Sequence, residues 1–94
     1  MAHSSKKSGV RIEIFTAPGC SRCQRATEMI KTALAQLPDT FEIVELNVLE
    51  HLEYATRLGI YTTPTIAVNG KRVFRGVPSK SQVLAFVQSL LEDR

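Results

Sequence analysis

The fold is decided by the stretch TAPGCSRC, residues 16–23, because it places the chain's two cysteines, Cys20 and Cys23, where a strand is predicted to lead into a helix. An alternating apolar run from Val10 to Ile14 precedes the stretch, and an amphipathic helical pattern begins at Ser21. A helix N-terminus carries partial positive charge, which stabilises a thiolate at that position. A bridge across two intervening residues closes too small a loop to serve as a structural staple. The pattern therefore predicts a redox-active cysteine pair.

Length and composition indicate one small globular domain. Of the 94 residues, 44% are hydrophobic and 22% are charged, which is typical of a folded soluble protein. The net charge of +3 includes Lys6 and Lys7 near the amino terminus, so the excess is too small and scattered to predict nucleic-acid binding. No apolar segment fits a secretory signal or a membrane span. We expect no membrane association and a cytoplasmic location.

We expect the chain to consist of a flexible amino-terminal tail, residues 1–8, and one domain, residues 9–94. Hydrophobic periodicity predicts strands over 10–15, 41–48, 65–68 and 72–75, and helices over 21–37, 49–58 and 79–91. The dipeptide Asn69-Gly70 predicts a tight hairpin between the last two strands. Ser79 followed by Gln82 predicts a capping box at the last helix. The first strand, helix and second strand predict a right-handed crossover with parallel pairing.

This order of elements, with the cysteine pair after the first strand, resembles the thioredoxin fold in its short, glutaredoxin-sized form. The resemblance covers residues 10–91, and the most similar group is the small bacterial and archaeal glutaredoxin-like thioredoxins. It is carried by the cysteine motif at 20–23, the segment GIYTTPT at 59–65, and the hairpin dipeptide with Gly76 beyond it. The resemblance implies an α/β, thioredoxin-like fold with a four-stranded mixed sheet in the order 2-1-3-4, flanked by three helices.

The resemblance also implies a thiol–disulfide oxidoreductase that acts on protein disulfides, needs no cofactor or metal, and works as a monomer. In such a protein Cys20 is the attacking nucleophile and Cys23 resolves the mixed disulfide. Pro64 is expected to be cis and to face the cysteines, and Thr63, Pro64 and Gly76 are expected to bind the substrate. Electrons are expected to come from a reductase or a low-molecular-weight thiol.

Four positions depart from the family's usual pattern. Ile14 stands where thioredoxins carry a buried aspartate, and Gly19 stands where they carry an aromatic residue before the first cysteine. Arg22 replaces an uncharged residue, and we expect its charge to favour the Cys20 thiolate. Glu45 aligns with a lysine of the family, and we expect its carboxylate to accept the Cys23 proton.

Several alternative interpretations stay open at this point. The protein is alternatively a glutaredoxin-like reductase that uses glutathione or another small thiol, although Gly76-Val77 stands where glutaredoxins have a glycine pair. Alternatively, it is a metal-binding module. Zinc needs four ligands in a structural site, and besides the two cysteines the sequence offers only the histidines His3 and His51. Among single residues, Pro64 also fits the start of an edge strand, Arg22 and Glu45 fit solvent-exposed positions, and His51 fits a surface position.

Overall fold

A computed structural model describes residues 6–93 of the chain. The described residues form four strands and three helices: β1 (Lys6–Thr16), α1 (Ser21–Leu34), β2 (Asp39–Asn47), α2 (Leu52–Arg57), β3 (Thr65–Val68), β4 (Lys71–Arg75) and α3 (Lys80–Glu92). None of these helices, within that range, has the length and apolar character needed to cross a bilayer.

The strands form one mixed sheet in the order β2-β1-β3-β4, which confirms the predicted order. β1 and β2 are parallel, with Ile14 opposite Glu45. β3 is antiparallel to β1, with Ile14 opposite Ile66, and β4 is antiparallel to β3. β1 therefore has a neighbour on each side, and its carboxyl end delivers the cysteine stretch to one edge of the sheet.

Both faces of the sheet are covered, because the alternation along β1 sends successive side chains to opposite faces. Val10, Ile12 and Ile14 are buried in one apolar cluster with residues of α1 and α3. Phe15 lies in a second cluster with Ala55 of α2. Fully burying a side chain of isoleucine or phenylalanine size contributes about 1.5–3 kcal/mol, so both clusters hold β1 firmly. The three helices flank the sheet as predicted.

β1 begins at Lys6 and takes in residues 6–8, which the sequence analysis assigned to a tail. The reason is a set of contacts made by Ser8, which is buried. Its hydroxyl donates a 2.7 Å hydrogen bond to the Thr40 carbonyl and accepts a 3.0 Å hydrogen bond from the Val10 N–H. β1 therefore pairs with β2 from Lys6 onward, whereas its apolar pattern begins only at Val10. Residues 1–5 lie outside the described residues.

α1 ends at Leu34, whereas the apolar pattern predicts a helix to about Leu37. Beyond Leu34 the chain tightens, because the N–H of Gln36 donates to the Ala33 carbonyl and the N–H of Leu37 to that of Leu34. These bonds span three residues instead of the four of an α-helix. Pro38 follows, and the residue before a proline disfavours helical geometry.

α2 begins at Leu52, although the apolar spacing includes Leu49 in this helix. Leu49 lies instead in a turn governed by Asn47, whose side-chain oxygen accepts a 2.8 Å hydrogen bond from the Leu49 N–H. The Asn47 carbonyl accepts from the N–H groups of Glu50 and His51. Leu49 is consequently 67% exposed and does not pack as a helix residue.

The predicted hairpin and helix cap are confirmed. Asn69 and Gly70 have φ values of 51° and 80°, the left-handed conformations that a type I′ hairpin turn requires at both central residues. At the start of α3, the Ser79 hydroxyl accepts a 3.1 Å hydrogen bond from the Gln82 N–H, and the Gln82 side chain accepts a 2.9 Å bond from the Ser79 N–H. This reciprocal pair satisfies two backbone donors of the first turn of α3.

Candidate active site around the cysteine pair

A short turn carries the chain from β1 into α1. The Ala17 carbonyl accepts a 3.2 Å hydrogen bond from the Cys20 N–H, which closes the turn. Gly19 has φ of +78°, a left-handed conformation that strains other residues. Apart from Gly19 and its two chain neighbours, no residue has a heavy atom within 4 Å of the position that a Cβ on Gly19 would take, so the requirement for glycine there is conformational and not steric. The turn leaves Cys20 at the N-cap of α1.

Cys20 and Cys23 are joined by a disulfide, with their Cα atoms 5.5 Å apart. Cys20 is half-buried, and its side chain forms no capping hydrogen bond with the backbone. Cys23 lies one turn further into the helix and is only 5% exposed. The N–H groups of a first helical turn lack carbonyl partners within the helix and favour negative charge nearby. The two cysteines therefore differ in exposure to solvent, and the more exposed one, Cys20, lies where a thiolate is stabilised.

The peptide bond between Thr63 and Pro64 is cis, as the sequence analysis predicted. The Pro64 carbonyl accepts a 2.8 Å hydrogen bond from the Gly76 N–H, so two of the three predicted substrate-binding residues are directly joined. Pro64 is buried and leads into β3, which has β1 on one side and β4 on the other. The alternative that Pro64 begins an edge strand is therefore wrong.

Thr63 lies on the same groove as Ala17, the residue whose carbonyl binds the Cys20 N–H. The Thr65 hydroxyl donates a 2.7 Å hydrogen bond to the Thr62 carbonyl, which holds the turn ahead of β3 in shape. The cis-proline turn thus lies beside the loop that carries the cysteines. Contact of Pro64 with the sulfur atoms and the substrate role of these residues stay predictions.

Arg22 lies in the first turn of α1 between the two cysteines and is exposed to solvent. Its position places positive charge at the helix start, close in sequence to Cys20. This exposure fits equally well the interpretation that Arg22 is only a solvent-facing residue of the helix. The tuning role of Arg22 stays a prediction.

Glu45 of β2 reaches across to α1. Its carboxylate accepts a 2.6 Å hydrogen bond from the hydroxyl of Thr27, which is 5% exposed. Thr27 follows Cys23 by four residues, so the two share one face of the helix and lie one turn apart. The backbone of Glu45 is opposite Ile14, where the family has its buried aspartate. The structure therefore brings the carboxylate to the helix face of Cys23, and its role as proton acceptor stays a prediction.

A buried carboxylate that the sequence analysis did not identify lies on the opposite face of the sheet. Glu13 is 3% exposed, and its two oxygens have separate partners. One accepts a 2.6 Å hydrogen bond from the Tyr54 hydroxyl of α2, and the other lies 3.1 Å from Arg11 Nε. Arg11 also lies 2.7 Å from the exposed Glu42 carboxylate. Arg11 and Glu13 at alternate positions of one strand are a sequence signal for a same-face ion pair.

This network alters the acidity of two of its members. The hydrogen bond to Glu13 raises the pKa of Tyr54, and burial of the phenol raises that pKa further. The hydrogen bond to Glu13 also raises the pKa of Arg11, while burial opposes the rise. Tyr54 further packs against Phe15, with the ring centroids 5.8 Å apart. Glu13 and Phe15 together attach α2 to β1.

Metal ligands are not grouped within residues 6–93, where no three His, Cys, Asp or Glu side chains lie together as a metal site. His51 is exposed, as the sequence analysis expected, and precedes α2 as its N-cap. His3 lies outside the described residues.

Comparison with known proteins agrees with this geometry. The sequence profile of the thioredoxin domain matches residues 10–88. A thioredoxin of Methanocaldococcus jannaschii is 34% identical over 84 residues, which cover 89% of this chain and 99% of that protein. A probable thioredoxin of Methanothermobacter thermautotrophicus is 30% identical over 83 residues, which cover 88% of this chain and 98% of that protein.

Among solved structures, a mutant thioredoxin from Halobacterium salinarum superposes with a TM-score of 0.71. The superposition covers 88% of this chain and 74% of that one, at 21% sequence identity, and it supports the fold. The profile match and the relatives of 30–34% identity extend over most of the chain. With its CxxC pair joined as a disulfide at a helix start, this chain belongs to the thioredoxin family and is a thiol–disulfide oxidoreductase.

Proposed function

We propose that the protein reduces disulfides of other proteins, with Cys20 as the attacking nucleophile and Cys23 as the resolving thiol. The observation that carries this assignment is the difference in exposure across the disulfide: Cys20 is half-buried at the helix start, whereas Cys23 is 5% exposed. A substrate sulfur has access to the first and is screened from the second. The thiolate is the attacking form, and the start of α1 favours it at Cys20.

The reaction has two exchange steps that conserve electrons and protons. The Cys20 thiolate attacks one sulfur of the target disulfide, forming a mixed disulfide and releasing the other target sulfur as a thiolate. The deprotonated Cys23 then attacks the Cys20 sulfur, which forms the Cys20–Cys23 bond and releases the second target thiolate. Two electrons pass from the cysteine pair to the target. The two protons lost by Cys20 and Cys23 are taken up by the target thiolates, through solvent or a protein base.

Glu45 is the base that we propose for Cys23. Its carboxylate is held at 2.6 Å by Thr27, one helical turn from Cys23 on the same helix face. A carboxylate on this face of the helix is a base that can take the Cys23 proton in the resolving step, directly or through water. For Arg22 we propose the electrostatic role described above, in which its charge favours the Cys20 thiolate.

Thr63, Pro64 and Gly76 form the proposed binding edge for the target chain. The Gly76 N–H is bonded to the carbonyl of the buried Pro64, which joins the cis-proline turn to the residue that follows β4. A target peptide that pairs with the Thr63 backbone in extended conformation would place its disulfide at Cys20. Val77, at the second position of the glutaredoxin glycine pair, packs against the cluster formed with α1 and α3. This packing supports protein disulfides over glutathione as the substrate.

Reduction of insulin disulfides, with dithiothreitol regenerating the protein, tests the proposed function. Wild type should accelerate insulin precipitation, and Cys20→Ser should remove the acceleration. Metal analysis of the same purified sample tests the alternative of a metal-binding module. A stoichiometric metal ion in a wild-type protein that does not reduce insulin would favour the metal-binding module over the oxidoreductase.

We further propose that the protein works as a monomer in the cytoplasm and is reduced there by a reductase or a low-molecular-weight thiol. Three donor systems separate the possibilities: NADPH with thioredoxin reductase, glutathione with its reductase, and a ferredoxin-linked reductase. The donor is the one that sustains insulin reduction at catalytic protein concentration. Efficient turnover with glutathione alone would instead favour a glutaredoxin-like protein.

A further inference from the structure

We propose that a hollow between β4 and the end of α2 binds an acidic side chain of the polypeptide whose disulfide the protein reduces. This inference rests on the proposed function, the reduction of protein disulfides. The hollow, called here the arginine hollow, has a volume of about 240 Å³ and is lined by Gly59, Tyr61, Thr62, Thr65, Arg72 and Arg75. A water molecule takes up about 30 Å³ in the liquid, so the hollow has room for a carboxylate group.

An irregularity in β4 brings the two arginines to one place. Side chains alternate between the faces of a regular strand, so Arg72 and Arg75, three positions apart, would lie on opposite faces of the sheet. The pairing with β3 shifts by one residue between Ile66 and Ala67, which leaves Val73 of β4 as an extra residue. A bulge of this kind re-aims the side chains beside it. Both arginines consequently line the same hollow.

The head group of Arg72 is held in place by the residue that follows α2. Its guanidinium donates a hydrogen bond to the Gly59 carbonyl. A Cβ on Gly59 would lie 3.1 Å from Nη1 of Arg72, so glycine leaves room for this approach. A guanidinium has five N–H donors, and this bond uses one of them. Because the side chain is already ordered, binding of an anion to the other donors loses less conformational entropy.

The positive charge of the arginine hollow has no counterpart in the protein. Within residues 6–93 both ion pairs are made by Arg11, and neither involves Arg72 or Arg75. The other residues that line the hollow are uncharged. Guanidinium groups bind carboxylates through paired N–H···O bonds. The hollow is therefore complementary to an anionic group of a partner.

The arginine hollow borders the proposed binding edge for the target chain. Thr62, which lines the hollow, directly precedes Thr63, whose backbone is proposed to pair with the target. Arg75 directly precedes Gly76, whose N–H is bonded to the Pro64 carbonyl. A target that pairs with this edge therefore brings the residues that flank its cysteine to the hollow. The expected order of preference at one of these positions is glutamate, then glutamine, then lysine.

The test measures the rate constant for reaction of the pre-reduced protein with short peptides whose single cysteine is disulfide-linked to 2-mercaptoethanol. The peptides differ only in having glutamate, glutamine or lysine at one of the four positions before or after the cysteine. At the best position and low ionic strength, wild type should react about threefold to fivefold faster with the glutamate peptide than with the glutamine peptide, as expected for an exposed ion pair. This ratio should approach one in 1 M salt, where the Debye length is about 3 Å.

Arg72→Gln and Arg75→Gln should each reduce the glutamate-to-glutamine ratio to below about 1.5. Arg75→Gln is the decisive variant, because the Arg75 side chain is exposed and makes no hydrogen bond within residues 6–93, so its loss leaves the fold intact. Lys71→Gln is the matched control, because Lys71 is an exposed cation of the same strand that does not line the hollow. It removes the same charge and should keep both the wild-type ratio and the wild-type rate with 2-hydroxyethyl disulfide.

Three results would overturn the proposal: a wild-type ratio near one at every position, a ratio unchanged in Arg75→Gln, or an equal loss of the ratio in Lys71→Gln. The last of these would show that net charge, and not the arginine hollow, attracts the acidic peptide. Each of the three is observed in a protein that still reduces 2-hydroxyethyl disulfide. Failure of wild type with every substrate, 2-hydroxyethyl disulfide included, would instead reject the proposed function and this inference with it.

Discussion

The Thr27 hydroxyl donates a 2.6 Å hydrogen bond to the Glu45 carboxylate, which joins α1 to β2 one helical turn beyond Cys23. Thr27 is buried and Glu45 itself is exposed, so the bond holds a solvent-facing carboxylate against the cysteine-bearing face of the helix. The position opposite Glu45 on β1 is Ile14, which cannot accept a proton. Proton transfer from Cys23 therefore needs a group other than the residue at position 14.

Glu45→Gln tests this role of the carboxylate. Glutamine keeps a hydrogen-bonding side chain of the same size but is not a base at neutral pH. We expect resolution of the mixed disulfide to slow by at least about tenfold at pH 7 and its pH profile to change. Stopped-flow release of the second target thiol measures this step. Glu42→Gln is the control, because Glu42 is an exposed carboxylate of the same strand that is paired with Arg11. An unchanged pH profile in Glu45→Gln would leave Glu45 as a charge on the strand surface.

Tyr54→Phe removes the hydrogen-bond donor to one oxygen of the buried Glu13 carboxylate, whose other oxygen stays paired with Arg11. We expect the free energy of unfolding to fall by about 1–3 kcal/mol, the cost of leaving such a group unpaired. Urea denaturation at pH 7 measures the change. Tyr61→Phe is the control, because Tyr61 is 81% exposed and its variant should stay within about 0.5 kcal/mol of wild type. Equal stability of the Tyr54 variant and wild type would show that Glu13 finds another partner.

The raised pKa of Tyr54 also predicts a dependence of stability on alkaline pH. Its hydrogen bond to Glu13, with burial as the second cause, keeps the phenol protonated in the folded protein at a pH where the unfolded chain loses the proton. The stabilisation is fully present below the unfolded pKa of about 10 and is lost as the pH rises through the folded value. The stability difference between wild type and Tyr54→Phe should therefore shrink above a pH of about 10. Urea midpoints at constant ionic strength test this, and a constant or growing difference would contradict it.

Arg22 should make the protein a weaker reductant than a typical thioredoxin. Its charge favours the Cys20 thiolate and so stabilises the reduced form. We expect a potential of roughly −260 to −200 mV at pH 7, compared with about −270 mV for thioredoxin. Arg22→Gln should be more negative by up to about 30 mV, with solvent screening reducing the shift. Equilibration with a glutathione redox buffer measures both values, and Arg25→Gln, an exposed arginine of the same helix, is the control. A wild-type value well below about −270 mV, or a less negative Arg22→Gln, would contradict the assignment.

The sequence predicts well those parts of the fold that depend on residues at fixed, short separations along the chain. The alternation from Val10 to Ile14, the Asn69-Gly70 turn, and the spacing of Ser79 and Gln82 each depend on neighbours within a few residues. The spacing of the cysteines is of the same kind. Resemblance to the family, and not the local pattern, predicts the strand order and the cis bond at Pro64, and the structure agrees with both.

The features that sequence did not predict depend on contacts between distant segments. Alternation places Glu13 on the same face as Phe15, but its burial depends on Tyr54, which is 41 positions away. Ser8 joins the sheet through Thr40, 32 positions away, so β1 starts earlier than its apolar pattern. Leu52 and Tyr61 likewise form one groove only after α2 and the turn ahead of β3 are placed together.

The most direct test of the central claim is mass spectrometry of the two single-cysteine variants after reaction with a model protein disulfide. The account predicts that Cys23→Ser still attacks through Cys20 and then stops, so that a stable mixed disulfide accumulates on Cys20. Cys20→Ser should form none, because its remaining thiol is the one that is 5% exposed. Stable adducts on Cys23 in the Cys20→Ser variant, with none on Cys20 in Cys23→Ser, would contradict the account.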